Sequence, residues 1–212
     1  MAFSHSNYNN RAPRENVREQ KMALRGIYRE KRASLSPELK AEMDKAICTR
    51  LCSLVSVRYA DEILSFSPLK GEVEVTDFNL YALKNGKDLY LPRCIKGTPE
   101  MHFHLVSSLD NLEKGSFSIN EPSEHSPIWK NEASKKAVCI IPAMSYDKNG
   151  YRLGYGKGYY DRYLSSKNVL KIGICYTDFL SDAIPKGRFD LAVDIIVTEK
   201  GIINIDKKGY SR

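Results

Sequence analysis

The sequence predicts an α/β protein built around a mostly parallel sheet covered on both faces, and three observations predict it. Several short apolar runs, such as Ala137-Val138-Cys139-Ile140-Ile141 and Leu170 to Cys175, are continuous rather than alternating, as in strands buried on both sides. Segments with helical spacing separate these runs, the order expected of parallel strands joined by crossover helices. The 212 residues suit one large domain or at most two small ones, and no internal repeat or low-complexity tract interrupts them.

Taken in order, a first helix is expected from about Asn16 to Ser34. Val17, Leu24, Ile27, Tyr28 and Leu35 form an apolar stripe on it, with a basic stripe of Arg18, Lys21, Arg25, Arg29 and Arg32 directly beside. Ser36-Pro37-Glu38 carries the N-cap, first-turn proline and first-turn acid of a second helix. Its apolar positions are Leu39, Met43, Ile47, Leu51 and Val55, at fourfold spacing. Ile63-Leu64-Ser65-Phe66 reads as a strand ended by Ser67-Pro68, and Thr76 as the cap of a helix through Leu83 that Asn85-Gly86 closes. Asp88 to Pro92 and Met101 to Val106 are the next strands, while residues 107–136, with Gly115, Pro122 and Pro127, read mostly as connecting loop. Ala137 to Ile141 is the clearest buried strand, stopped by Pro142. A long loop leads to a helix near Tyr159 to Ser165, and Leu170 to Cys175 and Asp194 to Val197 supply two more strands. Ligands of such sheets bind beyond the carboxyl ends of the strands, which points to Ser67-Pro68, Pro92-Arg93 and the segment after Pro142.

Composition narrows the class. No apolar run approaches the roughly 20 residues that span a bilayer, and residues 1–16 are polar, without the apolar centre of a signal peptide. A flexible extension over 1–16, a domain over 17–212 and a cytoplasmic location are expected. The five cysteines are odd in number and form no close CxxC pair, which fits reduced thiols. His102 and His104 share a strand face, but no third ligand is near in sequence, so they read as solvent-facing. The formal net charge is +7, and residues 11–32 hold eight bases against three acids. Such a segment suits nucleic acid, a membrane surface or a small polyanion, and composition does not choose among them.

The densest chemical signal is Arg152-Leu153-Gly154-Tyr155-Gly156-Lys157-Gly158-Tyr159-Tyr160-Asp161-Arg162. Alternating glycines let the backbone approach a phosphate with its N–H groups turned toward it, and a helix start adds partial positive charge. Arg152 and Lys157 bring two full charges, and Asp161 is placed where a carboxylate could hold Mg²⁺ against phosphates or simply complement the helix dipole. No Ser or Thr follows Gly-Lys, and the glycine spacing is not GxGxxG, so neither a P-loop nor a nicotinamide-binding domain fits.

Taken whole, Pro142, Ser145, Tyr146, Asp147, Gly150, Arg152, Leu153, Gly154, Gly156, Gly158, Tyr159, Tyr160 and Asp161 resemble the signature of the 5-formyltetrahydrofolate cyclo-ligases, also called methenyltetrahydrofolate synthetases. That signature runs P-x-x-(A/S)-(F/Y)-D, then G-x-R-L-G-x-G-x-G-Y-Y-D. Lys21-x-x-Leu24-Arg25 resembles the family's ATP contact on the first helix, and Glu72 its folate-binding glutamate, with Glu74 the alternative and Ser67 a neighbouring substrate position. Phe189-Asp190-Leu191-Ala192-Val193-Asp194 resembles the closing segment, which makes Asp190 the second carboxylate near Mg²⁺ and Asp194 the runner-up. Gly115 to Pro122 resembles a G-x-F-G-I-x-E-P turn and departs from it at Ser118.

The resemblance spans about residues 20 to 200 and implies a single three-layer α/β/α domain with a mixed, mostly parallel sheet. It implies an ATP- and Mg²⁺-dependent ligase that turns 5-formyltetrahydrofolate, polyglutamylated or not, into 5,10-methenyltetrahydrofolate. Arg152, Leu153, Gly154, Tyr155, Gly156, Lys157, Gly158, Tyr159 and Tyr160 would bind ATP together with Lys21 and Arg25. Asp161 and Asp190 would hold the metal. A monomer without nucleic-acid or membrane partners is expected. Two other readings remain at this point: an ATP- or sugar-phosphate-using relative with another acceptor, and a small basic nucleic-acid-binding protein.

Overall fold

The computed structural model describes residues 16–115 and 119–206. Helix α1 (Val17–Ala33) starts where the Asn16 side chain accepts from the Arg18 amide, and α2 (Pro37–Ser53) where Ser36 accepts from Leu39. The remaining helices are α3 (Val55–Arg58), α4 (Thr76–Lys84) and α5 (Tyr159–Leu164). The strands are β1 (Glu62–Leu64), β2 (Asp88–Cys94), β3 (Met101–Val106), β4 (Glu113–Lys114), β5 (Asn120–Glu121), β6 (Ala137–Pro142), β7 (Ser145–Asp147), β8 (Arg152–Leu153), β9 (Leu170–Ile174), β10 (Leu180–Ser181), β11 (Ile195–Val197) and β12 (Ile202–Asn204).

Among the described residues the main sheet has seven strands in the order β12-β11-β9-β6-β1-β2-β3. The five central strands are parallel, and the two edge strands, β12 and β3, are antiparallel to their neighbours. The sheet is therefore mixed and mostly parallel, as expected. Alternate residues supply two cores: Ile63, Leu89, Val138, Ile140 and Ile172 face α1, α2 and α4, while Leu64, Tyr90, Cys139 and Ile141 face α5, Trp129 and Val193. Strand order reverses between β1 and β6, so a crevice opens beyond their carboxyl ends.

Gly173 shows how tightly the second core is filled. Its neighbours Ile172 and Ile174 face the first core, and on the other side the Tyr146 ring lies against the bare Cα. A Cβ added there would come 2.5 Å from Tyr146 Cζ, and the ring is held in place because Tyr146 Oη donates to the Ile141 carbonyl at 2.8 Å. Gly173→Ala is expected to lower stability by about 1–3 kcal/mol, the usual cost of overpacking. Chemical denaturation measures this, and an unchanged midpoint would show that the ring can swing aside.

Several local expectations are corrected. Helix α2 ends at Ser53 and α3 starts afresh, with Leu39 and Val55 at the ends of the fourfold series exposed. Thr76 is not a cap; Glu74 accepts from both its amide and its hydroxyl. The stretch 107–136 contains the β4–β5 hairpin, and residues 127–129 cover the outer edge of β3 through Pro127 and Trp129 backbone bonds. Covering that edge removes a template for intermolecular pairing. It also buries His104, whose Nδ1 pairs with the Ser126 carbonyl at 2.8 Å, so only His102 stays partly exposed. The long loop after Pro142 is in fact a small sheet, β10-β7-β8, and Ile202–Asn204 forms an edge strand that the sequence reading lacked. All five cysteines are free thiols. Ser118 and residues 1–15 lie outside the described residues.

Candidate active site

Beyond the carboxyl end of β6 the chain runs through β7, returns as β8 and delivers Gly154 to Gly158 alongside α1. Gly156 (φ 101°) and Gly158 (φ 67°) adopt the left-handed backbone that disfavours other residues. Space matters as much as conformation. A Cβ at Gly154 would lie 2.9 Å from Arg152 Nη1, and one at Gly156 would lie 3.2 Å from Arg25 Cζ. The glycines therefore let two guanidinium groups reach the segment's backbone, and Arg25 Nε donates to the Gly154 carbonyl at 2.8 Å.

Lys21, Arg25 and Arg32 recur at i, i+4 and i+11, so they share one stripe of α1. The helix docks through both stripes: Tyr28 is buried and Leu24 and Leu35 pack against the first core, while Ile27 of the same apolar stripe is 59% exposed. Lys21 Nζ pairs with Asp190 Oδ2 at 2.5 Å, and the same oxygen accepts from the Gly187 amide at 2.6 Å. Arg152 Nη2 pairs with Asp161 Oδ2 at 2.6 Å, while Asp161 Oδ1 accepts from the Leu191 amide at 3.2 Å. Asp161 is thereby tied to the chain beside Asp190, since it accepts from the amide of the residue that follows Asp190. Arg25 has no carboxylate within ion-pair distance among the described residues. Burial lowers its pKa and the Asp190 charge opposes that, and a guanidinium stays charged throughout.

On the other side of the segment stands Glu72, buried, with Oε2 accepting from the Leu69 amide at 2.8 Å. Burial pushes the nearby Tyr155 hydroxyl up to about 12, and the Glu72 charge adds to that. Ser67, at the end of the β1 segment, is half-buried, whereas Glu74 is exposed and occupied at the start of α4. Asp194 sits apart from Asp190: it accepts from the Lys171 amide at 2.7 Å and pairs with Lys171 Nζ at 3.6 Å, by the amino ends of β9 and β11.

The family profile described as the 5-formyltetrahydrofolate cyclo-ligase family matches residues 17–199. The chain belongs to that family. A 5,10-methenyltetrahydrofolate synthetase from Aquifex aeolicus, solved by NMR, superposes with a TM-score of 0.77 at 33% identity over 91% of this chain and 95% of its own. A 5-formyltetrahydrofolate cyclo-ligase from Mycoplasma pneumoniae is 31% identical over 85% of this chain and 99% of its own, and one from Escherichia coli is 26% identical over 81% and 96%.

Within this cyclo-ligase fold the remaining signature residues take distinct places. Leu153 is fully buried and its carbonyl accepts from the Met144 amide, so it supports the segment rather than lining it. Tyr160 packs on Phe103 and under the Arg152 guanidinium, 5.5 Å from its ring centroid, while Tyr159 Oη turns to the Thr98 carbonyl. Lys157 is exposed at the tip of the segment. Among the described residues no group of three or more His, Cys, Asp or Glu is gathered for a metal ion. Asp161 and Asp190, paired with Arg152 and Lys21, are the carboxylates here that could hold Mg²⁺, an ion that commonly takes one or two carboxylates and completes its shell with water and phosphate oxygens. Sequence reasoning missed Arg32 as a site residue, although it lies on the stripe of Lys21 and Arg25. It donates to Tyr155 Oη at 3.0 Å and to the Ala143 carbonyl at 2.5 Å.

Proposed function

We propose that this protein catalyses the ATP- and Mg²⁺-dependent conversion of 5-formyltetrahydrofolate to 5,10-methenyltetrahydrofolate, with release of ADP and phosphate. The observation that carries the reading is the meeting of Arg25 with the Gly154–Gly158 segment, flanked by the Asp161 and Asp190 carboxylates. The formyl oxygen on N5 is amide-like and leaves poorly. Transfer of the γ-phosphoryl of ATP to that oxygen makes it leave as phosphate when N10 closes the ring.

Phosphoryl transfer asks mainly for positioning and charge neutralisation. Lys21, Arg25, Lys157 and the segment's amides face the phosphates, and Arg152 holds Asp161 in place. Asp161 and Asp190 would hold Mg²⁺, which when bound offsets phosphate charge. Glu72 offers acceptors to the N–H edge of the pterin, next to Ser67. No side chain need act as a nucleophile. Lys21, Arg25 and Arg32 turn toward the protein rather than solvent, which argues against the nucleic-acid reading. Among the described residues no helix is long and apolar enough to cross a membrane. The proposal places the enzyme in the cytoplasm as a monomer, with one domain over 17–212 and the glutamyl tail, single or multiple, as part of the substrate.

The test is the absorbance of the methenyl product from purified protein. It is expected only when 5-formyltetrahydrofolate, ATP and Mg²⁺ are all supplied, and omission of any one should abolish it. Turnover of ATP with no methenyl product would instead favour a relative acting on another acceptor.

A further inference from the structure

The carboxylate proposed to meet the pterin stands on a loop, and a buried acid of α2 holds that loop by its backbone. We propose that Asp44 is a positioning residue that fixes the Glu72 segment for folate, with Cys48, one helical turn on, completing the anchor. The inference rests on the folate reading given above.

Asp44, Ile47, Cys48 and Leu51 recur at i, i+3, i+4 and i+7, and they are the buried residues of α2. The other three belong to the apolar core, where a carboxylate is costly unless its oxygens are bonded. Both Asp44 oxygens are bonded. Oδ1 accepts from the Glu74 amide at 3.1 Å and from the Tyr176 hydroxyl at 2.7 Å, and Oδ2 accepts from Lys40 Nζ at 2.6 Å. Docking α2 on the core asks only for one more apolar side chain at this position, so the acid serves the groups it bonds.

The bond to Glu74 is the one that reaches the site. Residues 72–75 lead from the Glu72 carboxylate into α4, with the Val73 and Val75 side chains buried in the first core. Between those two valines, both peptide groups of Glu74 are held by α2: its N–H donates to Asp44, and its C=O accepts from Cys48 Sγ at 3.3 Å. Burial pushes the Cys48 thiol up to about 12, so it keeps the proton it donates. Just before this anchor the chain folds back in a tight turn. The Glu72 amide donates to the Leu69 carbonyl at 2.9 Å, the Leu69 amide donates to Glu72 Oε2 at 2.8 Å, and Gly71 takes a φ of 85°. The turn fixes the Glu72 carboxylate relative to its own backbone, and α2 fixes that backbone relative to the core. Lys40 and Tyr176 hold the Asp44 carboxylate itself from its other sides. Misplacing a substrate-positioning group by about 1 Å is enough to be felt in binding and turnover.

The experiment compares the full-length wild type with Asp44→Ala, Asp44→Asn, Cys48→Ala and Tyr176→Phe, by the methenyl assay and by amide hydrogen exchange. Asp44→Ala is expected to raise KM for 5-formyltetrahydrofolate about tenfold while KM for ATP stays within about twofold. Exchange at the Glu72 and Glu74 amides should quicken about tenfold or more. Asp44→Asn keeps an oxygen for the Glu74 amide and should bring the folate KM back to within about threefold of wild type. Tyr176→Phe removes a donor from the same oxygen but spares the Glu74 bond. It should lower the denaturation midpoint and leave the folate KM within about twofold, a separation that general loosening would not give. Equal rises in both KM values for Asp44→Ala, unchanged exchange at residues 72–74, or a Tyr176→Phe variant that matches Asp44→Ala would overturn the proposal. If Asp44→Ala does not fold, Cys48→Ala takes its place. A rise of about threefold in the folate KM alone is then expected, and an unmoved value overturns the proposal equally. A wild type that makes no methenyl product overturns the folate reading instead, and the exchange measurement still tests the anchor by itself.

Discussion

Arg25→Ala is expected to lower kcat/KM by about 100- to 1000-fold, the usual loss when one charged donor is removed from a developing negative charge. Melting temperature should stay within about 2 °C, since no buried counter-ion is stranded. The separation follows from how Arg25 is held. Its hydrogen bond goes to the Gly154 carbonyl, and its Nη atoms spread over the bare Cα of Gly156. Lys21 keeps Asp190 paired whether or not Arg25 is present. Arg25→Lys would restore the charge but not the planar fork that spans two phosphate oxygens, so partial recovery is expected. The methenyl absorbance assay beside a thermal melt reads both quantities. Activity within about threefold of wild type, well short of one donor's worth, would remove the guanidinium from the phosphate site.

The helical period places Lys21, Arg25 and Arg32 on one stripe, yet it does not say that this stripe contacts the protein as well as the apolar one. An apolar stripe is the ordinary choice because burial rewards it. Here Tyr28, Leu24 and Leu35 pack on the first core while Val17 and Ile27 are exposed, and the cations face a glycine-lined backbone, the Asp190 carboxylate and the Phe179 ring. That surface is assembled from residues more than a hundred positions away, so α1 alone does not encode it. The same limit hid Arg32: its partners Tyr155 and Ala143 follow β6, and only the folded chain brings them to α1.

Buried strands β6 and β9 were legible because their apolar runs are unbroken. Strands β7, β8 and β10 have two or three residues each, too few to display a period. Choosing Glu72 over Glu74 needed more than spacing, since both follow the same strand. Burial separates them: Glu72 is 4% exposed and bonded within the site, while Glu74 caps α4. Likewise Asp190 and Asp194 differ by four residues in sequence but have different lysines for partners.

Asp161→Asn should reduce turnover about 1000-fold or more and also lower stability by about 3 kcal/mol, because it leaves a buried cation without its partner. The Arg152 and Asp161 side chains are 9% and 15% exposed, so the pair is shielded enough for that penalty to be felt. A single variant would confuse the two effects, and a paired one separates them. Arg152→Met with Asp161→Leu replaces both charges by apolar groups of similar bulk and is expected to recover most of the lost stability. It should recover none of the activity, since the carboxylate proposed to hold Mg²⁺ is still gone. Denaturation midpoints and the product assay, run on the single and double variants together, test the division. If the double variant regained turnover along with stability, Asp161 would be a structural counter-ion to Arg152 and not a metal ligand.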